Sequence, residues 1–151
     1  MPGERSPSCF LRSYQDSTWE VAEVAGRVVE QLECFLGEDG HPEKFLLRLS
    51  EVGWAECYLD AWLGFWHLLD EAAAERVRED YDGSGCDDVG KRLGLVGHPV
   101  RRVTCSWSSL GTVIEFHFEA GTLRLVEVDS KDPDSSSRLE WKAAGQEGGE
   151  G

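Results

Sequence analysis

Apolar positions in the first half of the chain recur at steps of three and four residues, the spacing of one helix face. This pattern predicts helices over about residues 17–36, 42–52 and 54–79. Ser17 and Glu20 have the spacing of a capping box, which satisfies free amides at the start of a helix. The third helix would have the widest apolar side and therefore a central position. That side is formed by Trp54, Tyr58, Trp62, Phe65, Leu69 and Ala72.

Beyond Pro99 the pattern changes to alternation of apolar and polar residues, which is typical of strands with one buried face. Three such stretches, separated by turns that contain Gly111 and Gly121, predict a three-stranded antiparallel meander. Leu139 and Trp141 could add a fourth strand at its edge. We therefore expect an α+β fold, in which two or three N-terminal helices pack on a C-terminal meander of three or four strands.

The chain has 151 residues, of which 40% are hydrophobic, a size and composition that suit one packed core. Residues 1–13 are rich in Pro, Gly and Ser and predict a flexible leader. Residues 14–129 would then form a single α+β domain. Residues 130–151 are acidic and rich in Ser and Gly, and we expect them to be a mostly disordered tail.

The formal net charge is −14, and the charge is unevenly distributed along the chain. Residues 16–82 carry 17 acidic and 5 basic groups, whereas residues 83–128 carry five of each. This sign is wrong for binding nucleic acid or an anionic membrane surface, both of which attract Lys and Arg. The charge indicates a basic protein partner, or a surface that only keeps the protein soluble. A homodimer is compatible with the same sequence.

The polar side of the predicted third helix offers the first candidate site. Its paired carboxylates at i,i+4 spacing could hold a basic partner, and exposed tryptophans could anchor it. The alternatives are a solvated helix face and a buried aromatic stripe. The predicted partner-binding residues are Glu56, Asp60, Glu71, Glu75, Trp62 and Trp66.

A second candidate site resembles the first half of an EF-hand calcium loop. Asp80, Asp82 and Ser84 fall at loop positions one, three and five, and Gly85 falls at the position of the required glycine. The second half departs from the EF-hand pattern, because Lys91 replaces the bidentate Glu. The resemblance implies calcium as a cofactor. The alternative is an ordinary turn and no cofactor.

Catalytic motifs are missing from the sequence: it has no phosphate-binding glycine loop, nucleophile elbow or HExxH. His67 and His117 could line a pocket between helices and sheet, and a lone histidine is more often structural. Five widely spaced cysteines without a CxxC argue against disulfides and zinc, and favour a reducing compartment. Since no signal peptide or membrane span is evident, we expect a cytoplasmic protein.

These observations favour a non-enzymatic protein-binding module, of the inhibitor, immunity, adaptor or viral antagonist type, that presents an acidic helical face. One alternative is a small enzyme or ligand-binding domain with a pocket between helices and sheet. Another is a calcium-responsive module that uses the loop at 80–85.

Overall fold

In the computed structural model, the described residues are 13–37, 40–60, 63–81, 85–108, 111–127 and 137–144. Strands form most of this part of the chain, and they lie in two antiparallel sheets. The strands are β1 (Ser13–Asp16), β2 (Trp19–Glu20), β3 (Val29–Leu36), β4 (Pro42–Leu49), β5 (Gly53–Asp60), β6 (Leu63–Leu69), β7 (Cys86–Asp87), β8 (Val100–Ser108), β9 (Gly111–Phe118), β10 (Gly121–Glu127) and β11 (Ser137–Ala143). The helices are α1 (Glu71–Asp80) and α2 (Val89–Arg92), with a 3-10 turn at Ala22–Val24.

The predicted α+β class is therefore wrong, and the error lies in the first half of the chain. The first predicted helix is replaced by β2, the 3-10 turn and β3, and the second by β4. Tight turns break this region at short intervals: Gly40, Glu51 and Gly53 have positive φ angles of 84°, 61° and 94°. Such angles reverse the chain at glycine with little strain. The result is a series of hairpins, since consecutive strands β3 to β6 pair antiparallel.

The six-stranded sheet has the order β1-β6-β5-β4-β3-β7. Its inner side chains face the other sheet, and its outer side chains face α1 or solvent. In β4, Phe45 and Leu47 belong to the core between the sheets, whereas Leu46 packs under α1. Both faces of this strand are thus apolar, which gives a continuous apolar run in the sequence.

The five-stranded sheet has the order β11-β10-β9-β8-β2. Its strands β8, β9 and β10 are the three stretches in which apolar and polar residues alternate, and they pair antiparallel in sequence order. Leu139 and Trp141 lie in β11, at the edge of the sheet. The predicted leader, 1–13, and tail, 130–151, fall largely outside the described residues, except that the tail contributes β11.

One apolar core fills the space between the sheets, and it takes residues from both of them. Phe45 and Phe116 meet there edge to face, with ring centroids 5.1 Å apart. Trp66 is completely buried in the same core. Because each sheet covers the other's apolar face, the arrangement is a β-sandwich.

Helix α1 covers part of the outer face of the six-stranded sheet. The side chain of Asp70 caps its start by accepting a hydrogen bond of 2.8 Å from the amide of Ala73. Ala74 and Val77 are buried against a second, smaller core formed by Phe35, Leu46 and Trp54, with Leu69 and Tyr81 at its margin. Of the predicted third helix, only this last part is helical, and its earlier residues form β5 and β6.

Trp19 connects the two sheets near the N-terminus. It belongs to β2 of the five-stranded sheet, but its Nε1 donates a 2.9 Å hydrogen bond to the carbonyl oxygen of Gly64 in β6. A Cβ atom at Gly64 would lie 2.4 Å from the Cys105 Sγ and 3.2 Å from the Trp19 ring. This close contact between the sheets therefore requires glycine at position 64.

Candidate functional site

The outer surface of the six-stranded sheet, together with α1, forms what we call the acidic face. Ten acidic side chains belong to it: Glu30, Glu33, Glu43, Glu56, Asp60, Asp70, Glu71, Glu75, Glu79 and Asp80. Only four basic side chains accompany them among the described residues, namely Lys44, Arg48, Arg76 and Arg78. The surface therefore has an excess of negative charge.

The outer surface of the five-stranded sheet, which we call the paired face, has a different composition. Its acidic side chains are Glu20, Glu115 and Glu140, and its basic side chains are Arg102, Arg124, Arg138 and Lys142. Arg124 lies 3.1 Å from Glu115 and 3.3 Å from Glu140, so it links three adjacent strands. Arg102 pairs with Glu20 across β8 and β2 at 3.1 Å. Charges on this face largely compensate one another.

An aromatic patch lies on the acidic face, at the end of β5 and β6 that is remote from the smaller core. Tyr58 and Phe65 are stacked across the two strands, with centroids 4.8 Å apart and an angle of 8° between the rings. Both side chains are half-buried. The ammonium group of Lys44 lies 4.7 Å from the centroid of the Tyr58 ring, and His67 contacts both rings edge-on.

Glu56 is the polar centre of this patch. Its Oε1 lies 2.9 Å from the Lys44 Nζ, and its Oε2 lies 3.0 Å from the Nδ1 of His67. Burial by itself would raise the pKa of Glu56, but the hydrogen bonds from Lys44 and His67 outweigh it and lower this pKa below its ordinary value. Glu56 is therefore a carboxylate at neutral pH, and its charge is already engaged within the sheet.

The carboxylates of α1 extend the acidic face beyond the patch. Glu71 accepts a 2.5 Å hydrogen bond from the indole Nε1 of Trp54, which fixes the first turn of α1 to β5. Glu75 lies 3.7 Å from Arg78, and the guanidinium of Arg78 lies 4.7 Å from the centroid of the Trp54 ring. Glu75 and Asp60 are exposed.

The four carboxylates predicted to bind a partner lie on one face, but not on one helix. Glu56 and Asp60 lie on β5, where residues two apart point to the same side. Glu71 and Glu75 lie on α1. Trp66 is buried and does not reach the surface, and Trp62 falls outside the described residues. The prediction of a helical face was wrong, because β5 and β6 replace most of that helix.

Lys44, Tyr58 and Phe65 complete the patch, and the helical spacing of the sequence predicts the two rings on the apolar side of the third helix. A period of two residues could have placed the two rings on the same face as the carboxylates. Residues 56, 58 and 60 point to the same side of β5, and residues 63, 65 and 67 point to that side of β6. Lys44 has no signal of its own in the sequence, because its place beside Glu56 and Tyr58 depends on the register of β4 and β5.

His67 and His117 do not share a pocket. His67 lies on the acidic face, whereas His117 lies on the paired face, 3.3 Å from the hydroxyl of Thr104 and 3.4 Å from Glu115. A shallow cavity of about 440 Å³ is lined partly by His117. Another, of about 540 Å³, lies between the β3–β4 hairpin and the start of β11.

The buried cysteines are inert thiols. Burial raises the pKa of Cys34 and Cys105 to about 12, and it raises that of Cys57 as well. All three are therefore protonated at neutral pH and are weak nucleophiles. Cys86 is exposed, and its pKa is also raised, by partial burial and by nearby acidic groups.

The predicted calcium loop falls mostly outside the described residues. Asp80 is the last residue of α1, whereas Asp82 and Ser84 are not described. Within the described ranges, no group of three or more His, Cys, Asp or Glu side chains could hold a metal ion. In this part of the chain, no helix is long and apolar enough to span a membrane.

Comparison of the chain with protein families, with curated proteins and with solved structures found no match. Its function must therefore be argued from its own surface.

Proposed function

We propose that this chain is a non-enzymatic protein-binding module that holds a basic segment of a protein partner on the acidic face. The observation that supports this proposal most directly is the unequal charge of the two outer faces. Among the described residues, ten acidic and four basic side chains lie on the acidic face, whereas three acidic and four basic side chains lie on the paired face. A surface with unbalanced charge attracts an oppositely charged partner and orients it during association.

The aromatic patch supplies contact area that charge alone does not provide. Tyr and Phe side chains are common at the centre of protein interfaces, because they bury a large area at low entropic cost. Tyr58 and Phe65 are stacked on each other, and Lys44 lies over the Tyr58 ring. A flexible Lys or Arg chain of the partner could lie over the rings, since cations are attracted to aromatic faces.

The exposed carboxylates around the patch would provide the polar rim. Asp60 lies at the end of β5, beyond Tyr58, and Glu75 and Glu79 lie on the exposed side of α1. Glu56 and Glu71 have other roles, since each is hydrogen-bonded within the fold. The proposed contact residues are thus the half-buried rings and the exposed carboxylates, and Glu56 holds Lys44 and His67 beside the rings.

The test uses a random peptide library displayed on phage, selected against the immobilised protein. We expect the selected peptides to be rich in Lys and Arg. Their affinity should fall as salt rises, because exposed ion pairs are screened. The triple variant Asp60→Asn, Glu75→Gln, Glu79→Gln should weaken a selected peptide by about tenfold in isothermal titration calorimetry.

The control variant neutralises the same number of charges outside the acidic face: Glu20→Gln, Glu51→Gln and Glu119→Gln. It changes the net charge equally, so it separates local contacts from the field of the whole molecule. Phe65→Ala should weaken binding at both low and high salt. Selected peptides without excess Lys and Arg, or equal losses in the two triple variants, would overturn the proposal.

A further inference from the structure

Strand β11 is an open edge of the five-stranded sheet. It pairs with β10 along its whole length, from Gly121 with Ala143 to Glu127 with Ser137. No described strand pairs with its other side. The other edge strands are shorter: β1 has four residues, and β7 and β2 have two each, whereas β11 has seven.

The backbone groups on the open side can be assigned from the end of the strand. The amide of Ala144 donates a 2.8 Å hydrogen bond to the carbonyl oxygen of Ala120, in the turn between β9 and β10. In an antiparallel pair, the backbone N–H and C=O groups of every second residue bond to a given neighbouring strand. Because the amide of Ala144 points towards this neighbour, the even-numbered residues of β11 direct their backbone groups towards β10. The odd-numbered residues therefore direct their N–H and C=O groups outward. These residues are Ser137, Leu139, Trp141 and Ala143.

The side chains of β11 also follow a simple order. Arg138, Glu140 and Lys142 lie on the paired face, with charges that alternate in sign along the strand. Leu139 and Trp141 point to the other side, where they pack against the core between the sheets. Among the described residues, Lys142 has no ion pair, whereas Arg138 lies 2.7 Å from Glu140.

We propose that two copies of this chain associate through β11, antiparallel and around a two-fold axis, so that their five-stranded sheets become continuous. Unpaired N–H and C=O groups on an exposed edge are a template for another strand. A two-fold axis normal to the sheet keeps the side chains of one face on the same side. Opposite residues of the two copies must then be an even number of positions apart in the sequence. The axis therefore passes beside one residue, which pairs with its own copy, and we call this residue the centre of the register. This interface lies on the sheet opposite the acidic face, and it goes beyond the proposed function.

The alternating charges select among these registers. In a pairing centred on Glu140, Glu140 would lie opposite Glu140 of the second copy, and Arg138 would lie opposite Lys142 of the second copy. Both pairs have like charges, which destabilise a cross-strand pair. A pairing centred on Trp141 opposes Glu140 to Lys142 of the second copy, twice by symmetry, and brings the two Trp141 rings side by side. It also gives Lys142 an ion-pair partner.

A pairing centred on Leu139 is the competing register, since it opposes Arg138 to Glu140 of the second copy. We choose the Trp141 register because it gives an ion-pair partner to Lys142, which has none among the described residues, and because it keeps the Arg138–Glu140 pair within each copy. The two registers differ in which outward amides they use. In the Trp141 register, Ala143 pairs with Leu139 of the second copy and Ser137 is left over. In the Leu139 register, Ser137 pairs with Trp141 and Ala143 is left over.

The test is sedimentation velocity on the full chain from about 1 to 500 µM, a range that covers weak dimers. We expect a concentration-dependent shift from monomer to dimer. Ala143→Pro removes an outward amide without touching the bonds to β10, so it should raise the dimer dissociation constant at least about tenfold. Ser137→Pro is the matched control and should leave this constant unchanged. Lys142→Glu, at an exposed position, should weaken the dimer without a proline.

Circular dichroism and thermal melting of each variant show whether the fold is retained. The reverse result, in which Ser137→Pro dissociates the dimer and Ala143→Pro does not, would overturn the Trp141 register. A wild-type chain that stays monomeric over the whole range would overturn the proposal, as would a dimer that none of the three substitutions weakens.

Discussion

The two outer faces of the sandwich use charged residues in different ways. On the paired face, Arg124 bridges Glu115 and Glu140, so carboxylates and guanidinium groups alternate across neighbouring strands. On the acidic face, Asp60 and Glu79 are exposed, and the basic groups are too few to balance the carboxylates. Similar residue types therefore form a cross-strand network on one sheet and an open negative surface on the other.

Two tryptophans, one on each sheet, also differ in their exposure. Trp54 on β5 is 6% exposed, because α1 covers it, whereas Trp107 on β8 is 57% exposed. The lesson is that neither a charge nor an aromatic ring indicates a binding surface by itself. What matters is whether another part of the fold already satisfies it.

The largest expected effect comes from the contact between α1 and β5. Trp54→Ala should reduce the free energy of unfolding by about 3–5 kcal/mol, since it opens a cavity under α1 and removes the hydrogen bond to Glu71. Trp107→Ala, the matched control on the other sheet, should change it by less than about 0.5 kcal/mol. Urea denaturation of both variants measures the difference. Equal losses would contradict the contrast between a covered and an open tryptophan.

A smaller effect is expected at Glu56. Its folded pKa lies below the ordinary value of 4.5, so the carboxylate stabilises the fold above that value, and this contribution is lost as pH falls through the folded pKa. Glu56→Gln should therefore be less stable than wild type by about 1–3 kcal/mol at neutral pH. The difference should shrink in acid, below about pH 4.5.

The comparison for Glu56 is Glu20→Gln on the paired face. Glu20 also has a lowered pKa, caused by its hydrogen bond from Arg102, but its side chain is half-exposed and solvent screens the pair. Its substitution should give a weaker pH dependence, measured by thermal melting from acid to neutral pH. A pH-independent difference between wild type and Glu56→Gln would refute the assignment of Glu56.

The smallest effect concerns the ion pairs of the paired face. A double-mutant cycle of Arg124→Gln and Glu115→Gln should give a coupling energy of about 0.2–1 kcal/mol, the range of partly exposed pairs. The coupling should decline as salt rises. A large coupling energy that does not depend on salt would mean that the ion pairs of this face contribute substantially to the stability of the fold. The contrast between the two faces would then need revision.

The second half of the fold could be predicted from the sequence, because β8, β9 and β10 alternate in the sequence as they do in the sheet. Val103 and Cys105 are buried and Thr104 between them is not. This pattern has one explanation, a strand with one covered face. The packing of these strands could not be predicted in the same way, since they lie against a second sheet and not against helices.

The prediction of helices in the first half is wrong because parts of its strands are covered on both sides. In β4, Phe45, Leu46 and Leu47 are all buried, two of them by the other sheet and one by α1. Continuous apolar runs do not distinguish a buried strand from a buried helix by their period. The Ser17–Glu20 motif was equally ambiguous, since the helix that it would cap is replaced by a strand and a 3-10 turn.

The candidate site was predictable in its chemistry but not in its geometry. Most of the negative charge of residues 16–82 lies on one face, because these residues supply most of the six-stranded sheet and α1. Which carboxylates stay free could not be inferred from the sequence. Glu56 is engaged by Lys44 and His67 only because the registers of β4, β5 and β6 bring the three side chains together.

The position of the first strands has a consequence for the order of events during synthesis. Tyr14 in β1 pairs with Trp66 in β6, and Trp19 in β2 pairs with Cys105 in β8. Strands β1 and β2 thus leave the ribosome before the strands with which they pair. Strand β2 cannot join its sheet until β8 has been synthesised. Such distant pairings are slow to form. Strands β1 and β2 are made before the strands with which they pair and are therefore among the last to take their final positions.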